Sequence, residues 1–127
     1  MHPHPAKLAL LIMAALALLA TSPLGAGERL TMRVAPRFGF APATLTVDAV
    51  AERDPANRAL EIQVESPNYY RSTLMQLDGD QARRTTTVRY GGVPGGTYEV
   101  RVILFGSGGQ QRAATAQHIE IISSVDQ

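Results

Sequence analysis

The 127-residue sequence contains no cysteine and no tryptophan, and it has only three histidines. Without cysteine, the fold cannot contain a disulfide bond, and a lipid-modified N-terminal cysteine is excluded. Two of the histidines precede the first apolar run, so His118 is the one that remains beyond it. Zinc sites need several cysteine or histidine ligands. The sequence therefore predicts neither a metal site nor a cofactor.

The first 27 residues have the pattern of a secretory signal peptide. A short segment with one lysine precedes the apolar run Leu8 to Ala20, and small residues follow that run. As a helix the run would rise about 20 Å, which is less than the ~30 Å of hydrocarbon in a bilayer. The cut could fall after Ala26 or after Gly27. Cleavage after Gly27 places the small Gly25 at the −3 position, so we expect it there, with export to the periplasm or the medium and a mature domain of residues 28–127. The alternative is an uncleaved leader that anchors the chain.

Removal of the leader leaves a domain without net charge. The whole sequence has 12 basic and 11 acidic residues, and its single lysine, Lys7, leaves with the leader, so that 11 arginines balance 11 acids. A neutral domain lacks the fixed positive field that phosphate binding needs. We therefore expect no nucleic-acid partner, and contact with a membrane only through the transient leader.

Apolar residues recur at every second position in seven segments after Glu28. The segments are Leu30–Val34, Leu45–Ala49, Leu60–Val64, Thr73–Leu77, Val88–Tyr90, Tyr98–Leu104 and Ile119–Ile121. This period places apolar side chains on one face of a strand and polar side chains on the other. The pattern predicts an all-β fold of seven antiparallel strands in two layered sheets.

The segment GGVPGGTYEVRV, Gly91 to Val102, is placed to carry the chain from one sheet to the other. Its part from Val93 to Val102 resembles fibronectin type III and related immunoglobulin-like domains of small exported bacterial proteins. The resemblance implies an immunoglobulin-like sandwich with a tyrosine corner, in which Pro94 and Gly96 shape the crossing and the Tyr98 hydroxyl returns to its backbone. Transthyretin-like modules, which carry a similar PG-x-Y segment, are the second fold candidate.

No catalytic arrangement is visible in the sequence. His118 alternates with Ile119 and Ile121, so we interpret it as a solvent-facing strand residue without a nucleophile or oxyanion loop beside it. The segment Asp78–Asp80 is interpreted as a hairpin turn rather than a calcium site, since calcium needs six to eight oxygen ligands. We predict that the protein is not an enzyme.

Residues on the outer face of the sixth predicted strand are the first candidates for partner binding. If Tyr98 and the residues alternating with it are internal, Arg101, Ile103 and Phe105 face outward, and two large apolar residues there would form a contact patch. The alternatives are a loop that covers them or a bulge that reverses the register.

Two further aromatic segments are candidates for surface contacts or for capping the core. Adjacent rings at Tyr69 and Tyr70 could stack on a sugar or anchor a peptide, or one of them could cap the core. The segment Phe38–Pro42 is expected to pack its rings across one end of the sandwich. These features favour a small exported module that binds another envelope or secreted protein. The alternative is a periplasmic carbohydrate-binding module that uses Tyr69 and Tyr70, although sugar platforms favour tryptophan and the chain has none.

Overall fold

A computed structural model describes residues 29–123 of the chain. The predicted leader and the last four residues lie outside this range. The described part is all-β and forms eight strands, which are β1 Leu30–Ala35, β2 Phe38–Phe40, β3 Ala43–Ala51, β4 Asn57–Ser66, β5 Tyr69–Gln76, β6 Thr85–Val93, β7 Gly96–Gly106 and β8 Gln111–Ile122. A short 3₁₀ turn, Gly79–Gln81, lies between β5 and β6. No helix within residues 29–123 is long and apolar enough to cross a bilayer.

The strands form two sheets, as the alternating pattern predicted. One sheet has three strands in the order β1-β3-β6, and the other has five in the order β2-β8-β7-β4-β5. The predicted number of seven strands is wrong, because β2 is an eighth. The prediction that all strands are antiparallel is also wrong, because β2 runs parallel to β8.

The sequence pattern did not predict β2, because this strand is only three residues long and lies between two prolines, Pro36 and Pro42. Its middle residue, Gly39, faces inward beside Ile121, where a Cβ atom would approach the Pro36 ring to 2.9 Å. Both flanking phenylalanines therefore face outward. The expectation that the rings of this segment pack across one end of the sandwich is wrong.

The core lies between the two sheets and is built from the alternate positions that the sequence identified. Val47 of the three-stranded sheet and Ile62 of the five-stranded sheet are each 0% exposed. On β7, Tyr98, Val100 and Val102 are likewise fully buried. Apolar burial stabilises by roughly 25 cal/mol per Å², so this interior is the main source of stability in a chain without disulfides.

The chain passes from β6 in one sheet to β7 in the other at Pro94 and Gly95, which confirms the predicted crossing. Gly95 is required there, because a Cβ atom at this position would collide with Ser123. Gly92 has a φ of 68°, in the left-handed region that glycine tolerates.

The segment Asp78–Asp80 is a second crossing between the sheets. Because β5 and β6 belong to different sheets, the predicted hairpin turn is wrong. Gly79 has a φ of 56°, and a Cβ atom there would lie 2.9 Å from the Pro55 carbonyl oxygen. The crossing is therefore packed closely against the loop that precedes β4.

A polar network closes the end of the sandwich opposite the β6–β7 crossing. Asn57 is 2% exposed, and its amide group donates a hydrogen bond to the backbone carbonyl of Glu52 at 2.9 Å. The guanidinium of Arg112 donates to the Asn57 side-chain oxygen and, at 3.3 Å, to the Asp54 carboxylate. These contacts satisfy a buried amide and connect the β3–β4 loop to β8.

Candidate functional site: the outer face of the five-stranded sheet

All four large hydrophobic residues that are exposed within residues 29–123 lie on the outer face of the five-stranded sheet. Their exposed fractions are 61% for Phe38, 66% for Phe40, 55% for Tyr70 and 61% for Leu74. They belong to the two edge strands, β2 and β5. Isolated exposed apolar residues need no explanation, but these four are all on one of the two outer sheet faces.

Phe38 and Phe40 form a pair on β2. Their ring centroids are 6.5 Å apart and the rings are perpendicular, in an edge-to-face arrangement. The parallel register places Phe38 beside Glu120 and Phe40 beside Ile122 of β8. The pair is therefore held on the outer face by the sheet itself.

Leu74 lies on the opposite edge strand, β5, and is in register with outward-facing residues of the central strands β4 and β7. Glu61 of β4 is its direct neighbour, and Ile103 of β7 follows in the same row. Phe105 lies on the same face, one row below, and both Ile103 and Phe105 are half-buried. A register irregularity separates Leu104 from Phe105 in the pairing with β8. Leu104 is nevertheless buried, so alternation along β7 persists through this position.

A polar band separates these two apolar clusters. Glu65, Glu99 and His118 lie in one row across β4, β7 and β8, and His118 is exposed. Arg101 donates a hydrogen bond to the Glu99 carboxylate at 3.0 Å, which makes an ion pair along β7. Such an exposed pair contributes little stability. Its effect is to fix the position of Arg101 on the face.

The face as a whole is acidic. Its outward positions carry four glutamates, Glu61, Glu65, Glu99 and Glu120, against the single arginine Arg101. An acidic face does not favour phosphate groups.

The structure brings together four of the five residues that the sequence proposed for partner binding. Arg101, Ile103, Phe105 and Tyr70 share the outer face, whereas Tyr69 points to the opposite side of β5. The Tyr69 ring packs edge-to-face on Tyr98, with centroids 5.5 Å apart. Since the two adjacent tyrosines face opposite sides of the sheet, they cannot form one platform for a sugar ring.

Tyr98 connects the sheet interior to the β6–β7 crossing. Its ring is fully buried, and its hydroxyl donates a hydrogen bond of 2.6 Å to the carbonyl of Pro94. Burial raises the pKa of Tyr98 above its ordinary value of 10.0, so the hydroxyl keeps its proton at neutral pH. Gly96 lies beside the same ring, since a Cβ atom added at this position would lie 3.4 Å from the Cε1 atom of Tyr98. The three residues fix the geometry of the crossing.

Two shallow clefts border the crossing end of the molecule. One, of about 440 Å³, is lined by Glu65, Glu99 and His118 among others. The other, of about 480 Å³, lies between the β4–β5 turn and Pro94. Within residues 29–123, no group of three or more histidine, aspartate or glutamate residues is close enough to hold a metal ion.

Three of the four exposed hydrophobic residues were not candidates from sequence. Alternation over Thr73–Leu77 predicted that Met75 faces inward, which leaves Leu74 on the outer face, but Leu74 was not named as a candidate. Phe38 and Phe40 were interpreted as capping residues. The signal that could have identified them is the intervening Gly39, since two residues that flank a strand glycine share a face.

No protein-family model matches this sequence, and no curated protein sequence matches it. Among solved structures, the chain is similar to two variants of a superoxide reductase (neelaredoxin) from Ignicoccus hospitalis. Both superpose with a TM-score of 0.56 at 13% identity. One alignment covers 72% of this chain and 79% of the reductase, and the other covers 80% and 86%.

A part of a larger enzyme is also similar to this fold. A family 76 glycoside hydrolase from a bovine Bacteroides thetaiotaomicron strain matches with a TM-score of 0.51 and 18% identity. The match covers 72% of this chain but 20% of the hydrolase. At these identities the similarity shows the layered β fold alone and assigns no activity to this chain.

Proposed function

We propose that this chain is an exported, non-enzymatic immunoglobulin-like module that binds another envelope or secreted protein through the outer face of its five-stranded sheet. The observation that carries this function is the concentration of Phe38, Phe40, Tyr70 and Leu74 on that one face. Half-buried Ile103 and Phe105 extend the apolar cluster around Leu74. Aromatic and aliphatic side chains of this kind are the usual anchors of protein interfaces.

The immunoglobulin-like assignment is supported by the chain path. Consecutive strands β3 and β4 lie in different sheets, as do β5 and β6, and β6 and β7. In immunoglobulin-like sandwiches, loops likewise cross between sheets, and a tyrosine near the start of one strand bonds to upstream backbone. The hydrogen bond from Tyr98 to Pro94, four residues upstream, has this form.

The acidic charge of the face bears on the chemistry of the partner. Four glutamates surround the apolar clusters, so a partner surface with arginine or lysine at its rim and apolar residues at its centre is complementary. Rim charges act mainly on the association rate. Binding should therefore be faster at low ionic strength.

The test is proximity labelling in the exporting cell, with the label fused to the full chain. The wild type should label a defined envelope or secreted protein, and F40D and F105E should each lose that label. The control is T85E, which places a charge at an exposed edge position of the three-stranded sheet. Equal labelling by all four proteins, with folding confirmed by circular dichroism, would contradict the proposal.

A further inference from the structure

Strand β5 is at an edge of the five-stranded sheet, and its pairing with β4 is uninterrupted. It ends the strand order of its sheet and pairs with β4 over eight consecutive residue pairs, from Ala59 with Gln76 to Ser66 with Tyr69. No bulge interrupts this register, whereas irregularities occur in the pairings β3–β6, β4–β7 and β7–β8. The free side of β5 is therefore a straight template for another strand.

The backbone groups that face the open side follow from one hydrogen bond. The Leu77 N–H donates to the Arg58 carbonyl at 2.8 Å, and this pair continues the β4–β5 register. In an antiparallel ladder, residues that bond to the neighbour alternate with residues that do not. Tyr70, Ser72 and Leu74 therefore direct both their N–H and C=O groups away from β4.

The usual protections of an edge strand are missing from β5. Its sequence, YYRSTLMQ, contains no proline, no glycine and one charged residue, Arg71. That guanidinium is not at the edge, because it lies over the Tyr90 ring of β6, 5.8 Å from the centroid. By contrast, the opposite edge strand β2 is three residues long and lies between two prolines. Short strands, prolines and charges are the means by which sheet edges avoid pairing.

Contacts with the other sheet hold the edge in place. The hydroxyls of Thr73 and Tyr90 are hydrogen-bonded at 2.7 Å, which connects β5 directly to β6. A strand that is already fixed loses little conformational entropy when it binds. The edge is thus ordered before any second strand arrives.

We infer that two copies of this chain pair through antiparallel β5 strands about a two-fold axis at Ser72. In this register Ser72 lies opposite Ser72 of the second copy, and each of these residues turns its free N–H and C=O groups to the other. Tyr70 of each copy then lies opposite Leu74 of the other. Two exposed apolar residues are covered in each copy, as cross-strand aromatic–aliphatic pairs.

Charge selects this arrangement over other contacts between two copies. Stacking the two acidic outer faces would bring their glutamates together. In the edge-paired dimer, Glu61 and Glu65 on β4 are separated from those of the second copy by three strand spacings, about 14 Å. This separation exceeds the ~8 Å Debye length at physiological ionic strength. Arg71 lies opposite Thr73 of the second copy and not opposite another arginine.

The dimer joins the two five-stranded sheets into one continuous sheet and leaves Ile103 and Phe105 accessible on both copies. Because the dimer covers Tyr70 and Leu74, partner binding by the dimer would use Phe38, Phe40, Ile103 and Phe105, which remain accessible. Pairing of single edges buries an area at the low end of specific interfaces. The association is expected to be reversible and to depend on protein concentration.

The first test is sedimentation equilibrium of the protein purified from cells that express the full chain. The mass should rise from monomer towards dimer with concentration, and S72P should weaken the association about tenfold or more, because the substitution removes an N–H that faces the second copy. The control is T85P, at the β6 edge. The Ala51 N–H donates to the Arg84 carbonyl, so the Thr85 N–H also faces away from its ladder. If S72P does not fold, S72K replaces it. The two lysines would lie opposite each other at the two-fold axis, and their repulsion should weaken the association.

The second test uses the natural absence of cysteine. Directly opposite, hydrogen-bonded strand residues have Cα atoms about 5.5 Å apart, within the range of a disulfide. S72C should therefore form a disulfide-linked dimer under mild oxidation, and Q76C, on the same strand but far from the axis, should not. A protein that stays monomeric at every concentration, or equal cross-linking by S72C and Q76C, would overturn the inference.

Discussion

The two sheets have equivalent inner faces but different outer faces. Val47 on one inner face and Ile62 on the other are both fully buried. Outward, the three-stranded sheet carries many threonines, such as Thr31, Thr44 and Thr87, and none of the four exposed large hydrophobic residues. The five-stranded sheet carries all of them. Folding requires apolar residues only on the inner faces, so the fold alone does not account for the difference between the outer faces.

On the outer face of the three-stranded sheet, polar side chains contact one another. Thr87 donates a hydrogen bond to the Asp48 carboxylate at 2.6 Å, and Arg33 lies beside Asp48 in the register with β1. Threonine suits such a surface because it has a high strand propensity and a small polar side chain. The outer face of the three-stranded sheet is therefore polar, whereas that of the five-stranded sheet exposes large apolar side chains to water.

The largest expected effects come from the inner faces, where the two sheets should behave alike. I62A should lower the free energy of unfolding by about 2–5 kcal/mol, because it removes buried carbons and leaves a cavity. V47A should cost about 2 kcal/mol for the same reason. Urea titrations followed by circular dichroism measure both. A cost below about 0.5 kcal/mol at either position would mean that this sheet does not share the common core.

A second prediction concerns the polar network that closes one end of both sheets. N57A should destabilise by about 1–3 kcal/mol, because it removes the partner of the Glu52 carbonyl and one of the two partners of the Arg112 guanidinium. The matched control is N68A, at an exposed asparagine in the β4–β5 turn. Equal stability of the two variants in urea titrations would show that the network does not hold the end of the sandwich.

A third prediction concerns the crossing between the sheets. Y98F removes only the hydroxyl that bonds to Pro94, so it should cost about 1 kcal/mol without changing the packed ring. Y70F is the control, since Tyr70 lies on the exposed outer face. Thermal unfolding of the two variants measures the difference. A larger loss in Y70F would reverse the roles assigned to these tyrosines.

The smallest expected effect is a pH dependence at Asp54. The backbone N–H of Ala56 chiefly lowers the pKa of Asp54 below its ordinary value of 3.8, and Arg112 adds to this effect, while partial burial opposes it. A lowered folded-state pKa stabilises the native state above the unfolded pKa, and this contribution disappears as the pH falls through the folded pKa.

The comparison of D54N with the wild type measures this contribution. D54N should be less stable near pH 7, and the difference should shrink as the pH falls below about 4. D80N, at an exposed aspartate of the 3₁₀ turn, is the control. A stability difference for D54N that is constant between pH 7 and pH 2 would contradict the assignment.

Sequence alone predicted the layered β fold because period-two burial is a local property. Leu60 and Ile62 were expected inside and are inside. The order of strands in a sheet depends on pairings between distant segments, so the pattern could not show that β2 and β5 are edges. It also could not distinguish a hairpin from a crossing at Gly79, since both need a turn.

The candidate site was predictable only in part, because it too depends on pairings between distant strands. Alternation placed Arg101, Ile103 and Phe105 together because they lie on one strand. The neighbours that complete the face, Leu74 and Phe40, lie on other strands, and only the register brings them onto the same surface. A surface assembled across strands needs the pairing as well as the pattern.

The most direct test of the difference between the outer faces is site-specific photo-crosslinking in the exporting cell. A photoreactive amino acid is placed at Leu74 in one experiment and at Thr85 in the other, since both positions are exposed on edge strands of different sheets. We expect crosslinks from position 74, to a second copy of the chain or to another protein, and none above background from position 85. Crosslinks of equal yield from both positions, or from position 85 alone, would contradict the assignment of the five-stranded sheet as the contact surface.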